Sequence, residues 1–190
     1  MAQKLHVIIG STRPGRVGPS IAKWFQEAAK AHGAFDAVLV DIADFKLPVF
    51  DEPEHPAKKH YTKDHTEAWA ASVDAADAYV FVTPEYNYFA PPALVNALDF
   101  LVQEWKYKPA GIVSYGGVSA GLRAAQAVKG LMTALRIMPI PEGVAIPNFF
   151  ELIDKTSGAF KSNPLMDASV KTMLDELAKW SAALKPMRAA

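Results

Sequence analysis

The sequence predicts an α/β protein built on a doubly wound parallel sheet. Two patterns predict this fold class. The first is a set of short runs in which apolar residues follow one another, which is typical of strands buried on both faces. The second is a set of segments between those runs whose apolar residues recur at spacings of three and four, as on one face of a helix. Strands that alternate with crossover helices predict a five-stranded sheet with helices on both faces, in three layers.

The predicted strands and helices alternate along the chain as this fold class requires. Apolar runs predict strands at 5–9, 38–40, 79–82, 111–115 and 144–146, with 137–140 leading into the last. Helical spacing predicts helices over 21–29, 94–102, 122–135 and 170–184, and more weakly over 62–76. The segment 50–61 carries Pro53 and Pro56 and predicts a long surface loop. Because the chain shows no repeat and no linker, we expect residues 1–190 to form one domain.

Composition excludes several classes of function. Lys and Arg together number 20, as do Asp and Glu, so the chain lacks the basic excess with which proteins bind nucleic acid. No apolar run approaches the roughly 18 residues that a membrane span requires. The chain has no cysteine for a disulfide, a thiolate nucleophile or a cysteine-ligated metal. We therefore expect a cytoplasmic protein that binds neither nucleic acid nor a membrane.

The stretch GSTRPGRVGPS follows the first predicted strand and carries two arginines and no acid. It does not match the nucleoside-triphosphate loop, because Arg16 and Val17 stand where a lysine and a magnesium-binding Ser or Thr belong. It does not match the dinucleotide fingerprint either, because its glycines at 10, 15 and 18 have the wrong spacing and Asp41 stands late for a ribose-binding acid. A nucleoside triphosphatase and a tightly bound NAD are both disfavoured.

A loop for a single phosphate fits the same stretch better. Backbone N–H groups of residues 13–18 would surround the phosphate, and the helix that begins near Gly18 would add the positive end of its dipole. The side chains that would donate hydrogen bonds are those of Ser11, Thr12, Ser20, Arg13 and Arg16. An ordinary turn between strand and helix, with surface arginines, is the alternative at this point.

This loop resembles the phosphate loop of the NAD(P)H-dependent FMN reductases, a flavodoxin-like family that includes quinone, chromate and azo-dye reductases. Two further segments resemble the family at matching places. PEYNYFAPPALVNALDF, residues 84–100, follows the third predicted strand and is similar to the family's flavin loop and the helix after it. SYGGVSAGLRAAQ, residues 114–126, follows the fourth strand and is similar to the second flavin-side loop. The resemblance covers about residues 5–146.

The resemblance implies a flavodoxin-like fold, FMN as cofactor and NADH or NADPH as co-substrate. It implies hydride transfer from the nicotinamide through FMN to a quinone, free flavin or other small acceptor, with no catalytic side chain, because the flavin carries the hydride. It also implies a homodimer or homotetramer. The implied cofactor-binding residues are Ser11, Arg13, Arg16, Val17, Gly18, Ser20, Pro84, Glu85, Tyr86, Asn87, Ser114, Tyr115, Gly116 and Gly117.

Two positions depart from the family's pattern. Phe89 stands where many relatives carry a small or polar residue, and it would narrow the substrate side of the pocket. Val95 stands where many relatives carry a lysine, and it would make the face of the helix more apolar, as a subunit contact would be. Within the flavin loop, the resemblance places Tyr86 near the flavin ring and Asn87 near the ribityl chain and phosphate.

Other interpretations remain open from the residues alone. A flavodoxin-type electron carrier or a flavin-binding regulator would also bind FMN. Residues 117–121 spell G-x-S-x-G, the nucleophile elbow of serine esterases, with Ser119 as the nucleophile; every histidine precedes Ser119, which is not the order of that triad. His55, His60 and His65 recur every five residues, but neighbouring lysines disfavour a metal cation, and we expect solvated histidines and no metal site.

Overall fold

The computed structural model describes residues 3–188, which form a parallel sheet with its connecting helices. In chain order the elements are β1 (Gln3–Ile9), α1 (Gly18–His32), β2 (Phe35–Asp41), α2 (Asp64–Asp74), β3 (Ala78–Pro84), α3 (Pro92–Asp99), β4 (Pro109–Tyr115), α4 (Leu122–Ala134), β5 (Met138–Ile146) and α5 (Pro164–Leu184). Short 3-10 helices lie at Ile42–Phe45, Pro56–Lys58, Phe149–Glu151 and Lys185–Arg188. Among residues 3–188, no helix is both long enough and apolar enough to span a membrane.

The sheet has five strands in the order β2-β1-β3-β4-β5, and every neighbouring pair is parallel. This is the strand order of the flavodoxin-like fold, so the predicted fold class is confirmed. The order reverses between β1 and β3, because β2 lies on one side of β1 and all later strands lie on the other. In this class, ligands bind at the carboxyl ends of the strands beside such a reversal.

Two apolar cores lie on the two faces of the sheet, and successive strand residues alternate between them. Ile8 and Phe81 face the core that α2, α3 and α4 cover, which includes Trp69 and Trp105. Val7 and the residues of β3 that alternate with Phe81 face the other core, which α1 and α5 cover. Burial on both faces explains why the central strands β3 and β4 are apolar at nearly every residue rather than at every second one.

Local chemistry sets the ends of the longer helices. Pro19 lies in the first turn of α1, where its missing N–H costs no hydrogen bond, and Gly33 ends the helix in the left-handed conformation, with φ 79°. Asn163 caps α5 through its side-chain oxygen, which accepts a hydrogen bond from the N–H of Met166 at 3.0 Å.

Three segments differ from the sequence prediction in extent. Helix α3 ends at Asp99 rather than continuing to 102, because the chain turns so that the indole N–H of Trp105 donates to the carbonyl of Leu98 at 3.1 Å. Strand β5 starts at Met138 and tolerates its two prolines because it is an edge strand. The predicted loop at 50–61 is tied inward by Glu52, whose buried carboxylate accepts a hydrogen bond from the N–H of Thr62 at 2.9 Å.

Replacing Trp69 by alanine tests the packing of the first core. Trp69 is 1% exposed, and its indole N–H donates to the carbonyl of Ala97 at 2.8 Å. We expect Trp69→Ala to lower the free energy of unfolding by about 3–5 kcal/mol, because it leaves a cavity and an unpaired carbonyl. Urea unfolding followed by circular dichroism measures this loss. Trp180→Ala, at a half-buried position on α5, is the control and should cost less; equal losses would contradict the assignment.

Candidate functional site

Three loops meet at the carboxyl edge of the sheet, and the register of the strands brings them together. Ile9 pairs with Val82, and Pro84 pairs with Tyr115, so β1, β3 and β4 end at the same edge. We call the segments that follow these strands the first loop (10–17), the second loop (85–91) and the third loop (116–121). The first and second loops lie on either side of the point where the strand order reverses.

The first loop presents backbone N–H groups that the protein itself does not use. Among residues 10–18, the N–H groups that donate no hydrogen bond to a backbone carbonyl are those of Ser11, Thr12, Arg13, Gly15 and Val17 in the loop and that of Gly18 at the start of α1. Helix α1 begins here, and its N-cap, Val17, has no side-chain oxygen for the first turn. Free N–H groups together with the positive end of a helix dipole form a site that favours an anion.

Two arginines add positive charge to the first loop in different ways. Arg16 forms an ion pair with Asp41 at the end of β2, while its Nε is buried and has no hydrogen-bond partner among the described residues. Arg13 is exposed, and its guanidinium lies 5.8 Å from the centroid of the Tyr86 ring. Since Asp41 neutralises part of the charge of Arg16, the excess charge of the loop comes from Arg13 and the free N–H groups.

Tyr115 packs beneath the start of α1. Its side chain is 2% exposed, and its ring centroid lies 5.3 Å from that of Phe149. A Cβ placed on Gly18 would lie 3.0 Å from the hydroxyl oxygen of Tyr115 and 3.2 Å from Ile9. Burial raises the pKa of Tyr115, so the hydroxyl stays protonated. Glycine at position 18 therefore lets the helix begin directly over this side chain.

The second loop contains a tight turn that lies against the first loop. Tyr86 and Phe89 exchange backbone hydrogen bonds at 2.8 and 3.0 Å, and the two residues between them, Asn87 and Tyr88, have φ of 51° and 69°. Positive φ at both central positions is the pattern of a type I′ turn, and a tyrosine there costs on the order of 1 kcal/mol. The hydroxyl of Tyr86 lies 2.7 Å from that of Ser11, which joins the two loops.

Glu85 joins the second loop to the third. Its carboxylate accepts hydrogen bonds from the hydroxyl of Ser119 at 3.1 Å, from the backbone N–H of Arg123 at 3.1 Å and from the guanidinium of Arg123 at 2.9 Å. Burial raises the pKa of Glu85, but the hydrogen bonds from Arg123 and Ser119 outweigh burial and hold the pKa below its ordinary value. The guanidinium of Arg123 also lies 4.2 Å from the centroid of the Tyr88 ring, so one arginine contacts both the start and the turn of the second loop.

The third loop is fixed by its own backbone. The N–H of Gly116 donates to the carbonyl of Ile146 at 3.2 Å, and the carbonyl of Gly117 accepts from the N–H of Asn148 at 3.0 Å. Gly121 has φ 76°, and a Cβ there would lie 2.7 Å from the backbone nitrogen of Tyr115. This close approach requires glycine and lets the loop fold back over the end of β4.

The predicted site residues gather at this edge, but not all of them face outward. The first loop and the start of α1 hold Ser11, Arg13, Arg16, Val17 and Gly18. Next to them lie Pro84 at the end of β3, the second-loop residues Glu85, Tyr86 and Asn87, and the third-loop residues Gly116 and Gly117. The hydroxyl of Ser20 is turned away and donates to the carbonyl of Gly158 at 2.7 Å. The hydroxyl of Ser114 is buried and donates to the carbonyl of Ala120 at 2.9 Å.

The three loop histidines have partners of their own. His55 caps the 3-10 helix Pro56–Lys58 through its ring nitrogen, His60 lies 3.1 Å from the carboxylate of Glu54, and His65 lies 3.0 Å from that of Asp51. His55 and His60 are exposed, as the sequence predicts, whereas His65 is half-buried. In the part of the chain that the structure describes, no three His, Asp or Glu side chains are grouped as metal ligands.

The first loop has the donors that the phosphate of FMN requires. Its N–H groups lack protein acceptors, the Nε of Arg16 is buried without a partner, and a Cβ at Gly18 would disturb the start of α1. A phosphate monoester accepts such backbone, guanidinium and hydroxyl donors without a metal ion. The residues present therefore fit this end of the cofactor.

The strand order and the loops at its reversal define a flavodoxin-like α/β protein, and comparisons with known proteins agree. Residues 3–151 match the model of the family described as NADPH-dependent FMN reductase. The chain is 43% identical over 148 residues to an NAD(P)H-dependent FMN reductase of Schizosaccharomyces pombe, covering 76% of this chain and 74% of the relative. It is 35% identical over 105 residues to a quinone reductase of Escherichia coli, covering 53% of this chain and 52% of that protein.

Among solved structures, the flavoenzyme NAD(P)H:acceptor oxidoreductase FerB of Paracoccus denitrificans superposes with a TM-score of 0.75 at 19% identity, covering 96% of this chain and 98% of that one. The chain therefore belongs to the NADPH-dependent FMN reductase family. The predicted family, the enzyme class of oxidoreductase, and the cofactor FMN with NAD(P)H as co-substrate are confirmed.

The sequence does not predict the contacts that two residues of the site, Asp41 and Arg123, make. The sequence presents Asp41 only as a candidate ribose-binding acid, whereas in the structure it pairs with Arg16. Its place at the end of β2, beside the end of β1, is the signal that could have indicated this pairing. Arg123 lies within residues 114–126, the segment that resembles the second flavin-side loop of the family. Nothing in the spacing of residues indicates that it reaches Glu85, since the two are 38 positions apart.

Glu85→Gln tests the bond between the second and third loops. Because the folded-state pKa of Glu85 is lowered, its contribution is present above the ordinary carboxyl pKa and is lost as the pH falls through the folded value. We expect the variant to be less stable by about 1–3 kcal/mol at neutral pH, and the difference from the unmodified protein to shrink below about pH 4. Thermal unfolding at several pH values measures both effects.

Glu67→Gln, which removes an exposed carboxylate on α2, controls for the change in net charge in this experiment. It should unfold as the unmodified protein does. A Glu85 variant that is as stable as this control at neutral pH would contradict the proposed contribution of the carboxylate to loop position.

Proposed function

We propose that the enzyme transfers a hydride from NADH or NADPH through FMN to a quinone, with free flavin and other small molecules as further acceptors. One observation carries the proposal: a chain of the FMN reductase family has unused N–H groups at the start of α1, beside the reversal in strand order. The name of the E. coli relative, a quinone reductase, supports a quinone as the acceptor.

The first loop would hold the phosphate of FMN. The free N–H groups and the dipole of α1 favour the dianion, Arg13 adds a charge that no carboxylate within residues 3–188 neutralises, and Arg16 has a free Nε. The hydroxyls of Ser11 and Tyr86 already form a pair at the side of this loop and can donate one proton outward. These residues, with Val17 and Gly18, are the anchor that fixes the rest of the cofactor.

The second and third loops would enclose the flavin ring. The backbone from Pro84 to Asn87 and that of Gly116 and Gly117 lie at neighbouring strand ends, joined through Glu85. When bound, FMN supplies the hydride chemistry, accepting a hydride from the nicotinamide and passing it to the acceptor. The residues of this chain would orient the ring, and the N–H groups of Asn87 and Gly117, which donate to no backbone carbonyl, would face the side that becomes negative on reduction.

The exposed end of the second loop would border the acceptor. Tyr88 is 66% exposed and Phe89 is 47% exposed, and Arg123 holds Tyr88 in place from the third-loop side. Flat aromatic side chains at this position suit a flat aromatic acceptor. In this proposal Phe89 narrows the substrate side of the pocket.

The rival functions have less support. Membership of a reductase family favours an enzyme over an electron carrier or a regulator. The hydroxyl of Ser119 donates to the carboxylate of Glu85, and no histidine within residues 3–188 forms a hydrogen bond with it, so the G-x-S-x-G segment lacks the base that an esterase requires.

Anaerobic reduction tests the proposed reaction. FMN-loaded protein is mixed with NADH or NADPH, and the visible flavin absorbance is followed; a benzoquinone is then added. We expect rapid loss of absorbance with the pyridine nucleotide and rapid return with the quinone. Protein that binds FMN but is not reduced by either nucleotide would favour the carrier or regulator, and reduction without reoxidation by the quinone would assign a different acceptor.

Gly18→Ala tests the position of α1 at the first loop. The added Cβ would press against the hydroxyl of Tyr115, shifting the N–H groups that face the phosphate. We expect FMN affinity to fall by about tenfold, the cost of one misplaced charge-assisted hydrogen bond. In the background Tyr115→Phe, which removes the hydroxyl, the same change should cost less. Fluorescence titration with FMN measures both.

Gly130→Ala is the matched control, because a Cβ at Gly130 on α4 would meet no atom within 4 Å. It should leave FMN affinity unchanged and stabilise the helix by up to about 1 kcal/mol. A Gly18 variant that binds FMN as tightly as this control does would show that the start of α1 does not determine the affinity.

We also infer that the chain acts as one domain and assembles as a homodimer or homotetramer. Both apolar cores share one sheet, which supports a single domain over 1–190.

Exposed apolar side chains next to the site, among them Phe89, Val118 and Leu122, support assembly into a homodimer or homotetramer. Val95 is half-buried against the core rather than fully exposed, so it contributes less to such a contact than the sequence predicts. Light scattering at micromolar concentration tests the assembly.

A further inference from the structure

A cavity of about 640 Å³ lies at the opposite edge of the sheet from the three loops. Its walls are the end of α2, the turn that leads into β4, the end of α4 and the 3-10 helix Lys185–Arg188. The residues just before β3 and β4, Asp77 and Lys108, lie on its surface. A strand of seven residues is about 20 Å long, so the cavity is separate from the site at the carboxyl edge.

The cavity carries an excess of positive charge. Five of its residues are cationic and three are acidic. Each of the acids already has a cationic neighbour: Asp77 contacts Arg188 at 3.1 Å, Asp74 contacts Lys108 at 3.9 Å, and Glu104 contacts Lys59 at 3.3 Å. Among residues 3–188, the remaining cations of the cavity, Lys106, Arg136 and Lys185, form no ion pair.

Buried cationic groups at the cavity lack full compensation. Lys108 is 5% exposed, and its ammonium donates to the carbonyls of Val73 and Asp74 at 3.1 and 3.0 Å. Burial lowers the pKa of Lys108 to about 8, because its contacts do not replace the water that the ammonium loses. One guanidinium nitrogen of Arg188, Nη2, is buried and has no hydrogen-bond partner among the described residues. An anion in the cavity would stabilise both groups.

The side chains of Tyr107 and Arg136 are held at the cavity by an uncommon backbone. Both residues have positive φ, 57° and 60°, and the N–H of Tyr107 donates to the carbonyl of Arg136 at 2.9 Å. The guanidinium of Arg136 donates to the hydroxyl of Tyr107 at 3.0 Å and keeps its other donors free. Non-glycine residues in this conformation cost on the order of 1 kcal/mol each, and such strain is concentrated at functional sites.

We infer that this cavity is a second binding site, for a small molecule that carries a diphosphate group. A guanidinium and several ammonium groups around one space match the charge and the oxygen geometry of a diphosphate better than those of a single carboxylate. The volume is that of a site for a small ligand of nucleotide size, larger than an isolated phosphate needs. Because the cavity lies on the turn before β4 and on the end of α2, a ligand there would stiffen elements that also lead to the site at the carboxyl edge.

Isothermal titration calorimetry with inorganic pyrophosphate tests the inference. The protein is saturated with FMN and kept at constant ionic strength. We expect saturable binding of about one equivalent. Lys106→Ala combined with Arg136→Ala should weaken it at least about tenfold, because two charged donors are lost. Lys23→Ala combined with Lys30→Ala, an equal change of charge at two exposed positions of α1, should leave it unchanged. Circular dichroism confirms that the variants are folded.

A second background separates this cavity from the first loop. Pyrophosphate binding should persist when Arg13 and Arg16 are both replaced by alanine, whether or not that protein still binds FMN. The inference is overturned if pyrophosphate gives no saturable heat, if the Lys106 and Arg136 double variant binds it as tightly as the unmodified protein, or if binding disappears in the Arg13 and Arg16 variant.

Discussion

The start of α1 is the constraint on which the proposed site depends. Five N–H groups of the first loop have no backbone acceptor, and the helix N-terminus behind them is not capped by a side chain. N–H groups that lack an acceptor destabilise the folded loop. An anion that accepts hydrogen bonds from them is therefore bound favourably. Gly18 and the buried Tyr115 fix where this N-terminus lies, so the loop is shaped before any ligand arrives.

The other two loops depend on the first through a few polar contacts. Ser11 and Tyr86 join the first loop to the second. Glu85 joins the second loop to Ser119 and Arg123, which follow β4. The chain of contacts runs across three neighbouring strands of a parallel sheet. Because these three strands are buried on both faces, they form a rigid base, and the turn that carries Tyr88 and Phe89 is the exposed part of the second loop.

The sequence predicted those features that depend on local patterns. Apolar runs and helical spacing gave the five strands and their helices, and the resemblance of three loop segments gave the family and FMN. Features that depend on contacts between distant residues could not be predicted in the same way. The pairing of Arg16 with Asp41 and that of Arg123 with Glu85 arise only when the sheet brings separate strand ends together.

The spacing of apolar residues also could not predict where a helix ends or which way a side chain points. Helical spacing continues through Phe100 and Leu101, which are both buried, but the chain leaves the helix at Asp99 and buries them from a turn. The hydroxyl of Ser11 lies in the first loop, whereas that of Ser20, in the first turn of α1, donates to the carbonyl of Gly158. Spacing indicates which residues lie near a loop, whereas packing decides which of them face it.

The difference in affinity between FMN and riboflavin tests the central claim most directly, since the two ligands differ only in the phosphate. If the first loop holds the phosphate, the protein binds FMN at least about a hundredfold more tightly than riboflavin, as several charge-assisted hydrogen bonds require. The ratio then falls strongly in the double variant Arg13→Ala/Arg16→Ala, while riboflavin affinity is unchanged. Equal affinity for the two ligands, or a ratio that the double variant does not alter, would contradict the account.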